Sequence, residues 1–219
     1  MGRRALRKID PSLDLSHHFL EWDDLPNPLT ALTMFGHSTP FEVEVGSGKG
    51  LFLRTVSPAH PERVFLGIEV ARKYARFSAA RLAKHEQANA KVVCADGLRV
   101  LAERIPDESL AAVHVYFPDP WWKKRHKKRR VLNASFLADV QRVLQNDGRL
   151  EFWTDVREYF DSTNDLVRST TALVGPHTID ERAAEHDLDY RTHFERRTRL
   201  NSQPVYRARF CKTRIGLEH

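Results

Sequence analysis

Residues 41–50 read FEVEVGSGKG, and this stretch decides the fold class. An apolar, β-prone segment at 41–45 runs directly into a glycine-rich loop at 46–50, and a short helix is predicted to follow at 51–56. A strand, a glycine loop and a helix in this order form the context that a nucleotide-type binding loop requires. A glycine triplet taken alone also fits a plain structural turn, so the rest of the chain has to decide between the two.

Strand-like and helix-like segments alternate from this loop to the end of the chain. Residues 174–189, rich in Gly, Pro and acids, are predicted as a loop. The predicted strands are 41–45, 64–69, 91–95, 111–117, 149–154 and 204–212, and the predicted helices are 51–56, 71–89, 135–144 and 156–173. Because alternation of this kind implies parallel βαβ units, the sequence predicts an α/β fold with a doubly wound, mostly parallel sheet.

The domain organisation follows from length and composition. A chain of 219 residues is long enough for one well-cored domain, and a second full domain would be crowded. Residues 1–38 carry many Pro, His and charged residues and are predicted as a basic N-terminal tail and covering segment that is partly mobile. Residues 39–216 form the predicted main domain. The last three residues, 217–219, resemble the remnant of an expression tag.

Acidic side chains stand at the predicted ends of successive strands: Glu44, Glu69, Asp96 and Asp119. The carboxyl ends of parallel strands border the ligand crevice of such a sheet. Four carboxylates there would repel a pyrophosphate, and Leu51 occupies the position of the third glycine in a dinucleotide fingerprint. The acids suit a ligand with hydroxyls, an exocyclic amine and a positive charge, such as S-adenosylmethionine. For each acid singly, a surface or helix-capping role is the alternative.

A second stretch, FPDPWWKKRHKKRR at 117–130, joins an acid between two prolines to two tryptophans and a basic run. An aromatic platform beside dense cationic charge is typical of sites that stack a base and neutralise phosphates. The net charge of +6 and the pI near 9.5 also favour a polyanionic partner. A solvated charge run or a localisation signal is the alternative reading of this segment.

Several classes of protein are disfavoured by the sequence. No apolar run approaches the roughly 18 residues that a membrane span needs, and the start MGRRALRKID lacks the apolar segment of a secretory signal. The two cysteines, Cys94 and Cys211, lie far apart with no CxxC spacing, which predicts reduced thiols and no zinc site. We therefore expect a cytoplasmic protein that binds neither a membrane nor a metal.

Four sequence motifs, spread over residues 41–210, match one known family in combination. The most specific comprises FPDPW at 117–121, Lys123, RH at 125–126 and KRR at 128–130. VEVGSGKG at 43–50 and FLGIE at 65–69 correspond to cofactor motifs, and Thr192-x-Phe194-Glu195 to a late substrate motif. With these residues the chain resembles the bacterial tRNA (guanine-N7)-methyltransferase family.

The resemblance implies an S-adenosylmethionine-dependent methyltransferase with a class I, Rossmann-like domain at 39–216 that methylates N7 of guanine 46 in the variable loop of tRNA. It implies Asp119 as the active-site acid. The implied cofactor-binding residues are Glu44, Gly46, Ser47, Gly48, Glu69, Val70, Asp96, Gly97 and Asp119. The implied substrate-binding residues are Lys123, Arg125, Asp155, Thr192 and Glu195. Departures from the family pattern at Trp122, Thr198 and Asn201 concern the shape of the late substrate loop.

The chemistry needs little from a general base, because guanine N7 carries a lone pair and no proton. Positioning and electrostatics would then carry catalysis, with Asp119 or Asp155 opposite the positive charge that develops on the purine. Trp121 fits either stacking on an exposed base or packing in the interior. The alternatives are a methyltransferase of another RNA base or amine, and a non-catalytic basic RNA-binding module. Both a monomer and a homodimer fit the sequence.

Overall fold

The computed structural model describes residues 6–121, 124–181 and 183–213. Trp122, Lys123 and the predicted tag remnant at 217–219 lie outside these residues. The described strands are β1 (Phe19–Glu21), β2 (Phe41–Val45), β3 (Val64–Ile68), β4 (Ala90–Cys94), β5 (Leu110–Tyr116), β6 (Leu144–Thr154), β7 (Val174–His177) and β8 (Tyr206–Cys211). The described helices are α1 (Ala31–Phe35), α2 (Leu51–Ala59), α3 (Arg72–Lys84), α4 (Gly97–Glu103), α5 (Ala134–Val143), α6 (Arg157–Thr170) and α7 (His193–Leu200).

All eight described strands join one sheet in the order β1-β4-β3-β2-β5-β6-β8-β7. The pairs from β1 to β6 are parallel, and β8 runs antiparallel to both β6 and β7. This arrangement confirms the predicted α/β class with a mostly parallel sheet. The strand order reverses direction between β2 and β5, and such a switch point opens a crevice at the carboxyl ends of the strands. The glycine loop follows β2 at that point.

Alternate residues of the central strands face two apolar layers. Val43, Val45 and Val113 pack on the side that includes residues of α4, α5 and α6. The other side packs against α2 and α3 around Phe52 and Phe65. Because side chains alternate along a strand, Glu42 and Glu44 of β2 point to the second side, towards α2.

The structure differs from the prediction mainly in short elements. The sequence predicts residues 1–38 as a basic tail and covering segment without regular elements; among residues 6–38, β1 pairs with β4 and α1 begins at a Thr30 cap, with Leu29 fully buried. The predicted loop at 174–189 begins with the edge strand β7, and α4 and α7 are helices that the sequence pattern did not predict. Elements of three to eight residues carry too few periodic positions to be recognised by pattern. Across the described ranges, no helix is long and apolar enough to cross a membrane.

Gly50 supplies a sharp test of the junction between the glycine loop and α3. Its φ is +65°, and an added Cβ would lie 1.8 Å from Ser78 Oγ and 2.8 Å from Ser78 Cβ. We expect Gly50→Ala to destabilise the protein by about 2–4 kcal/mol, because left-handed strain and overpacking add together. Gly36 has a φ of +83° with no atom within 4 Å of an added Cβ. Urea unfolding should show Gly36→Ala costing only about 1–2 kcal/mol, and equal losses in both variants would contradict this packing account.

Candidate cofactor and active site

A cleft of about 740 Å³ opens at the switch point between β2 and β5. Its wall is formed by the glycine loop, by the end of β5 and by the first residues of α7. The side chains that shape it include Glu44, Phe52, Tyr74, Tyr116, Phe117 and Phe194. The cleft is therefore acidic at its floor and aromatic along its sides.

Glu69 braces the glycine loop with both of its carboxylate oxygens. Oε2 accepts a hydrogen bond from Gly48 N at 2.8 Å, and Oε1 accepts one from Ala71 N at 2.8 Å. Gly46 and Ser47 donate their N–H groups to Ile68 O at 2.8 and 3.0 Å, which fixes the loop to β3. Gly46 and Gly48 have φ values of +81° and +55°. The loop needs glycine there because other residues rarely adopt this conformation.

Glu44 is a buried carboxyl at the base of the cleft, with 2% of its surface exposed. Burial, reinforced by the charge of Glu69, raises the pKa of Glu44 to about 8. Its Oε2 atom and Ser47 Oγ have no hydrogen-bond partner among the described residues. Buried polar groups are normally paired, so these two atoms mark places for ligand donors. Beside them, an added Cβ on Gly46 would meet no atom within 4 Å, which leaves room for a ligand.

The next predicted cofactor residues lie at the same edge of the sheet, beyond β3 and β4. Asp96 is exposed and its Oδ1 accepts from Leu98 N at 3.0 Å, so it caps α4. Gly97 packs so closely that an added Cβ would lie 2.6 Å from Val45 Cγ1. Val70 is 74% exposed, an unusual state for a valine, and it lies next to Glu69. Val70 and Asp96 are thus exposed just after β3 and β4, and Gly97 adjoins the end of β2; none of the three lines the 740 Å³ cleft.

Asp119 is exposed on a turn whose backbone is held at both ends. Phe117 and Trp121 have φ values of +50° and +45°, a left-handed conformation that few bulky residues adopt. Phe117 N donates to Trp153 O at 2.8 Å, and Arg130 Nε donates to Pro120 O at 2.9 Å. Strained backbone of this kind concentrates at functional sites. The turn presents the Asp119 carboxylate at the end of β5.

The aromatic and basic residues after Asp119 pack on one another. The ring of Trp121 meets His126 edge-on, with centroids 5.9 Å apart, and the Arg129 guanidinium lies 5.2 Å from the Trp121 centroid. Arg130 lies 4.3 Å over the ring of Tyr159. Arg125 is exposed. Trp121 is half-buried and packs against these two side chains.

The late substrate motif forms the start of α7, and its two predicted substrate residues differ in environment. Thr192 caps the helix by accepting from Glu195 N at 2.9 Å. Glu195 is only 2% exposed, and its carboxylate accepts from Arg191 N at 2.7 Å and from Arg207 Nη2 at 3.2 Å. Protein donors therefore occupy both oxygens of this carboxylate, and the direct contact of Glu195 with the substrate stays a prediction. Asp155 follows β6 and is half-buried.

Sequence reasoning missed a buried polar chain beneath the cleft. His114 Nε2 and Glu42 Oε2 are 2.7 Å apart, and His114 Nδ1 lies 2.9 Å from the hydroxyl of Tyr116. Burial by itself would raise the pKa of Glu42, but His114, Arg149 and Arg63 outweigh it and hold this pKa well below its usual range. The two glutamates of β2 thus have opposite ionisation. The only sequence signal was an acid-x-acid pattern inside a strand that is otherwise apolar.

A contact across the cleft was also missed, because α7 was not predicted. The rings of Phe117 and Phe194 lie 4.9 Å apart at 32°, which joins the end of β5 to α7. The Arg197 guanidinium lies 4.5 Å from the Phe194 centroid. The motif at 192–195 pointed to this region, but sequence alone gave no distance between it and Phe117.

Comparison with known proteins fits this geometry. A family model described as a putative methyltransferase matches residues 38–208. A tRNA (guanine-N(7)-)-methyltransferase from Rhodopirellula baltica is 50% identical over 218 residues, covering 97% of this chain and 80% of that protein. The chain belongs to the tRNA (guanine-N7)-methyltransferase family. A further tRNA (guanine-N7)-methyltransferase, from Alkalilimnicola ehrlichii, is 35% identical and covers 93% of this chain and 84% of its own length.

Solved structures outside the tRNA (guanine-N7)-methyltransferase family share the fold. The crystal structure of the 16S rRNA methyltransferase KamB superposes with a TM-score of 0.58 at 16% identity, over 83% of this chain and 91% of that chain. At this identity the likeness concerns the fold alone. In the part of the chain that the structure describes, no group of three or more His, Cys, Asp or Glu side chains could hold a metal ion.

Proposed function

We propose that this chain transfers a methyl group from S-adenosylmethionine to N7 of guanine in tRNA, at guanine 46 of the variable loop. Family membership supports the reaction, and one observation about the site carries the proposal. A buried Glu44 oxygen that has no partner among the described residues lies beside the glycine loop, one strand away from the turn that presents Asp119. This arrangement supports a binding site for the methyl donor near an exposed carboxylate.

The residues of the cleft fit the cofactor. S-adenosylmethionine supplies a methyl group on a sulfonium, together with ribose hydroxyls, an adenine and an amino-acid end. Glu44 and Ser47 offer acceptors without partners to its N–H and O–H groups, and Glu69 holds the loop that surrounds them. Val70 offers an exposed apolar side chain to the adenine, and Asp96 is exposed after the neighbouring strand β4. We assign these residues, with Gly46, Gly48 and Gly97, to cofactor binding.

For the chemistry, the chain has to orient the purine and stabilise charge, because guanine N7 needs no deprotonation. We assign Asp119 the role of stabilising positive charge on the purine, since its carboxylate is exposed at the end of β5. Asp155 follows the adjacent strand β6 and is the second candidate for contact with the base. Preorganised charges of this kind are the largest single contribution in many enzymes.

For the substrate, we assign Lys123, Arg125 and Thr192 to tRNA binding, with Arg125 exposed and Thr192 on the cleft wall. Contacts of this kind between cations and phosphates fix register and carry little sequence information. A cytoplasmic location agrees with a tRNA substrate and with two free cysteines. One chain supplies every residue named for the site, so both a monomer and a homodimer would hold complete clefts.

The reaction can be tested with an unmodified tRNA transcript and methyl-labelled S-adenosylmethionine, followed by digestion and mapping of the labelled nucleoside. We expect 7-methylguanosine at position 46, and no label in a transcript that carries adenine there. Label at another base would support the alternative of a different RNA methyltransferase. Tight tRNA binding without any label or cofactor binding would support a non-catalytic RNA-binding module.

Cofactor affinity should depend on pH through Glu44, whose pKa is raised to about 8. A ligand that donates to this carboxylate favours its charged form, so binding releases a proton when Glu44 starts protonated. We expect affinity to fall about tenfold per pH unit below 8, as measured by calorimetry between pH 6 and 8.

The stability of the ligand-free protein should depend on pH in the opposite direction. The contribution of neutral Glu44 to the free energy of unfolding is complete below pH 4.5 and is lost as pH rises through 8.

The control for this pH dependence is Glu44→Gln, which removes the titrating group and should flatten the profile. Calorimetry in two buffers with different ionisation enthalpies would detect the released proton directly. A wild-type affinity that stays constant from pH 6 to 8, with no buffer effect, would show that Glu44 keeps its proton in the complex.

A further inference from the structure

A group of cations at the junction of α2, α3 and α7 has few internal partners. We call it the α2/α3/α7 cationic cluster; it comprises Lys49, Arg54, Arg81, Lys84 and Arg196. Lys49 and Arg196 lie near His193, Arg54 and Lys84 lie near His85, and Arg81 belongs to both groups. Arg81 is central, because its Nη1 donates to Lys49 O at 2.8 Å and lies 3.1 Å from His193 Nε2. Since arginine can only donate, His193 accepts in this contact, which requires a neutral imidazole. These two contacts hold one edge of the Arg81 guanidinium against Lys49 and His193.

Carboxylates are scarce in this cluster. Asp187 pairs with Arg196 at 2.6 Å, and the charge of Lys84 acts on Asp10, but Lys49, Arg54, Arg81 and Lys84 form no ion pair within 4 Å in the described ranges. Arg81 is also half-buried, and most of its N–H groups find no acceptor in the same part of the chain. An arginine has five N–H donors in a fork that matches phosphate oxygens. The other N–H groups of Arg81 are not buried, and beside further cations they are available to an anionic ligand.

The electrostatics of the cluster favour the binding of an anion. Desolvation and the nearby Arg54 lower the pKa of Arg81 to about 10. Desolvation, with Arg81, Lys49 and Arg196 adding repulsion, lowers the pKa of His193 to about 4. Like charges held together cost free energy unless a ligand of opposite sign joins them. Several positive charges therefore lie close together in the cluster, with few carboxylates beside them.

The position of the cluster at the cleft indicates which kind of anion it binds. Lys49, His193 and Arg196 also line the cleft that we assign to the cofactor, so the cluster forms part of its rim. A guanine that enters the cleft brings the phosphates on either side of its own nucleotide to that rim. The basic residues at 124–130 follow the turn after β5, whereas this cluster joins the glycine loop to α3 and α7.

We propose that the α2/α3/α7 cationic cluster binds a backbone phosphate of the tRNA next to the nucleotide whose base enters the cleft. The inference rests on the proposed function and adds a second phosphate-binding surface to it. Arg81 provides the fork that contacts the phosphate, and Lys49, Arg54 and Lys84 supply further positive charge around it. The cluster thereby fixes the backbone on the glycine-loop side of the cleft.

The test measures affinity for an unmodified tRNA transcript as a function of salt. In Arg81→Gln we expect tRNA affinity to fall about tenfold near 0.15 M salt, and the slope of log K against log[salt] to become less steep by about one phosphate contact, 0.7–0.9. Because Arg81 also holds the glycine loop, a second variant, Arg54→Gln/Lys84→Gln, leaves that contact in place and should show the same flattening. Calorimetric cofactor affinity should stay within about twofold of wild type in the double variant.

The matched control is Arg99→Gln/Arg168→Gln, which removes two arginines that pair with Glu103 and Asp165 on α4 and α6. Its salt slope should match that of the wild type. Slopes in both cluster variants equal to the wild-type slope would overturn the inference, whatever the methylation assay shows. Wild-type protein that fails to methylate guanine would overturn the proposed function instead, and the salt slopes would still report on the cluster.

A free anion is the other source of the same ligand chemistry. Thermal unfolding in inorganic phosphate and in chloride at equal ionic strength separates the two sources. For a tRNA site we expect equal phosphate effects on wild type and on Arg54→Gln/Lys84→Gln. If phosphate stabilised only the wild type while both proteins bound tRNA alike, the cluster would be a site for free phosphate and the inference would be overturned.

Discussion

Replacing Asp119 by Asn should lower the single-turnover rate constant for tRNA methylation by about 10²–10³-fold, the scale of losing one preorganised electrostatic partner. The substitution keeps the size of the side chain and most of its hydrogen bonding, and it removes the charge opposite the purine. The turn itself should persist, because Phe117 N and Pro120 O are held by backbone and Arg130 contacts that do not involve the carboxylate. Cofactor affinity should change far less than the rate.

Asp165→Asn is the control for charge, since Asp165 is an exposed acid of α6 that pairs with Arg168. Its rate constant should equal that of the wild type at saturating tRNA and cofactor. If Asp119→Asn stayed within about threefold of wild type, below roughly 0.7 kcal/mol of barrier, Asp119 would act only through the shape of its turn. The same measurement on Asp155→Asn would then show whether the second carboxylate carries the charge.

The central part of the fold could be predicted because its signals are local and repeated. The strand at 41–45 has the same limits in the structure, and the glycine loop is followed by α2 as expected. The ends of the sheet could not be predicted in this way. Strand β1 has three residues and exists through pairing with β4, a contact distant in sequence. Tertiary contacts of this kind leave no periodic signal in the segment that makes them.

The candidate site could also be predicted only in part: the positions of the acids were predictable, and their environments were not. Acids at strand ends were recognisable because parallel strands bring their carboxyl ends to one edge, and Glu44 and Glu69 do meet at the glycine loop. The ionisation state of each acid could not be predicted from the sequence. Glu42 and Glu44 differ by two positions on one strand, yet partners from β5 and β6 keep the first charged while burial keeps the second neutral. The environment of Glu195 could not be predicted from its residue type either, because its burial and its contacts with Arg191 and Arg207 depend on the tertiary structure.

Glu69→Gln should weaken S-adenosylmethionine binding by about 1–3 kcal/mol, roughly 5- to 150-fold. Both carboxylate oxygens accept from backbone N–H groups, Gly48 N and Ala71 N, each at 2.8 Å. An amide has only one acceptor oxygen, so its NH₂ group would face one of these donors and the loop would lose a brace. Calorimetric titration measures the loss. Glu103→Gln, an exposed change on α4 beside Arg99, should leave cofactor affinity unchanged.

The same variant tests the coupling between the two acids of the cleft. The charge of Glu69 contributes to the raised pKa of Glu44, so an amide at 69 should move the midpoint of the pH-dependent affinity from about 8 to a lower value. Weak binding with an unchanged midpoint would mean that burial alone keeps Glu44 neutral. Binding as tight as that of the wild type would remove Glu69 from the cofactor site, because the loop would then hold its shape without the carboxylate.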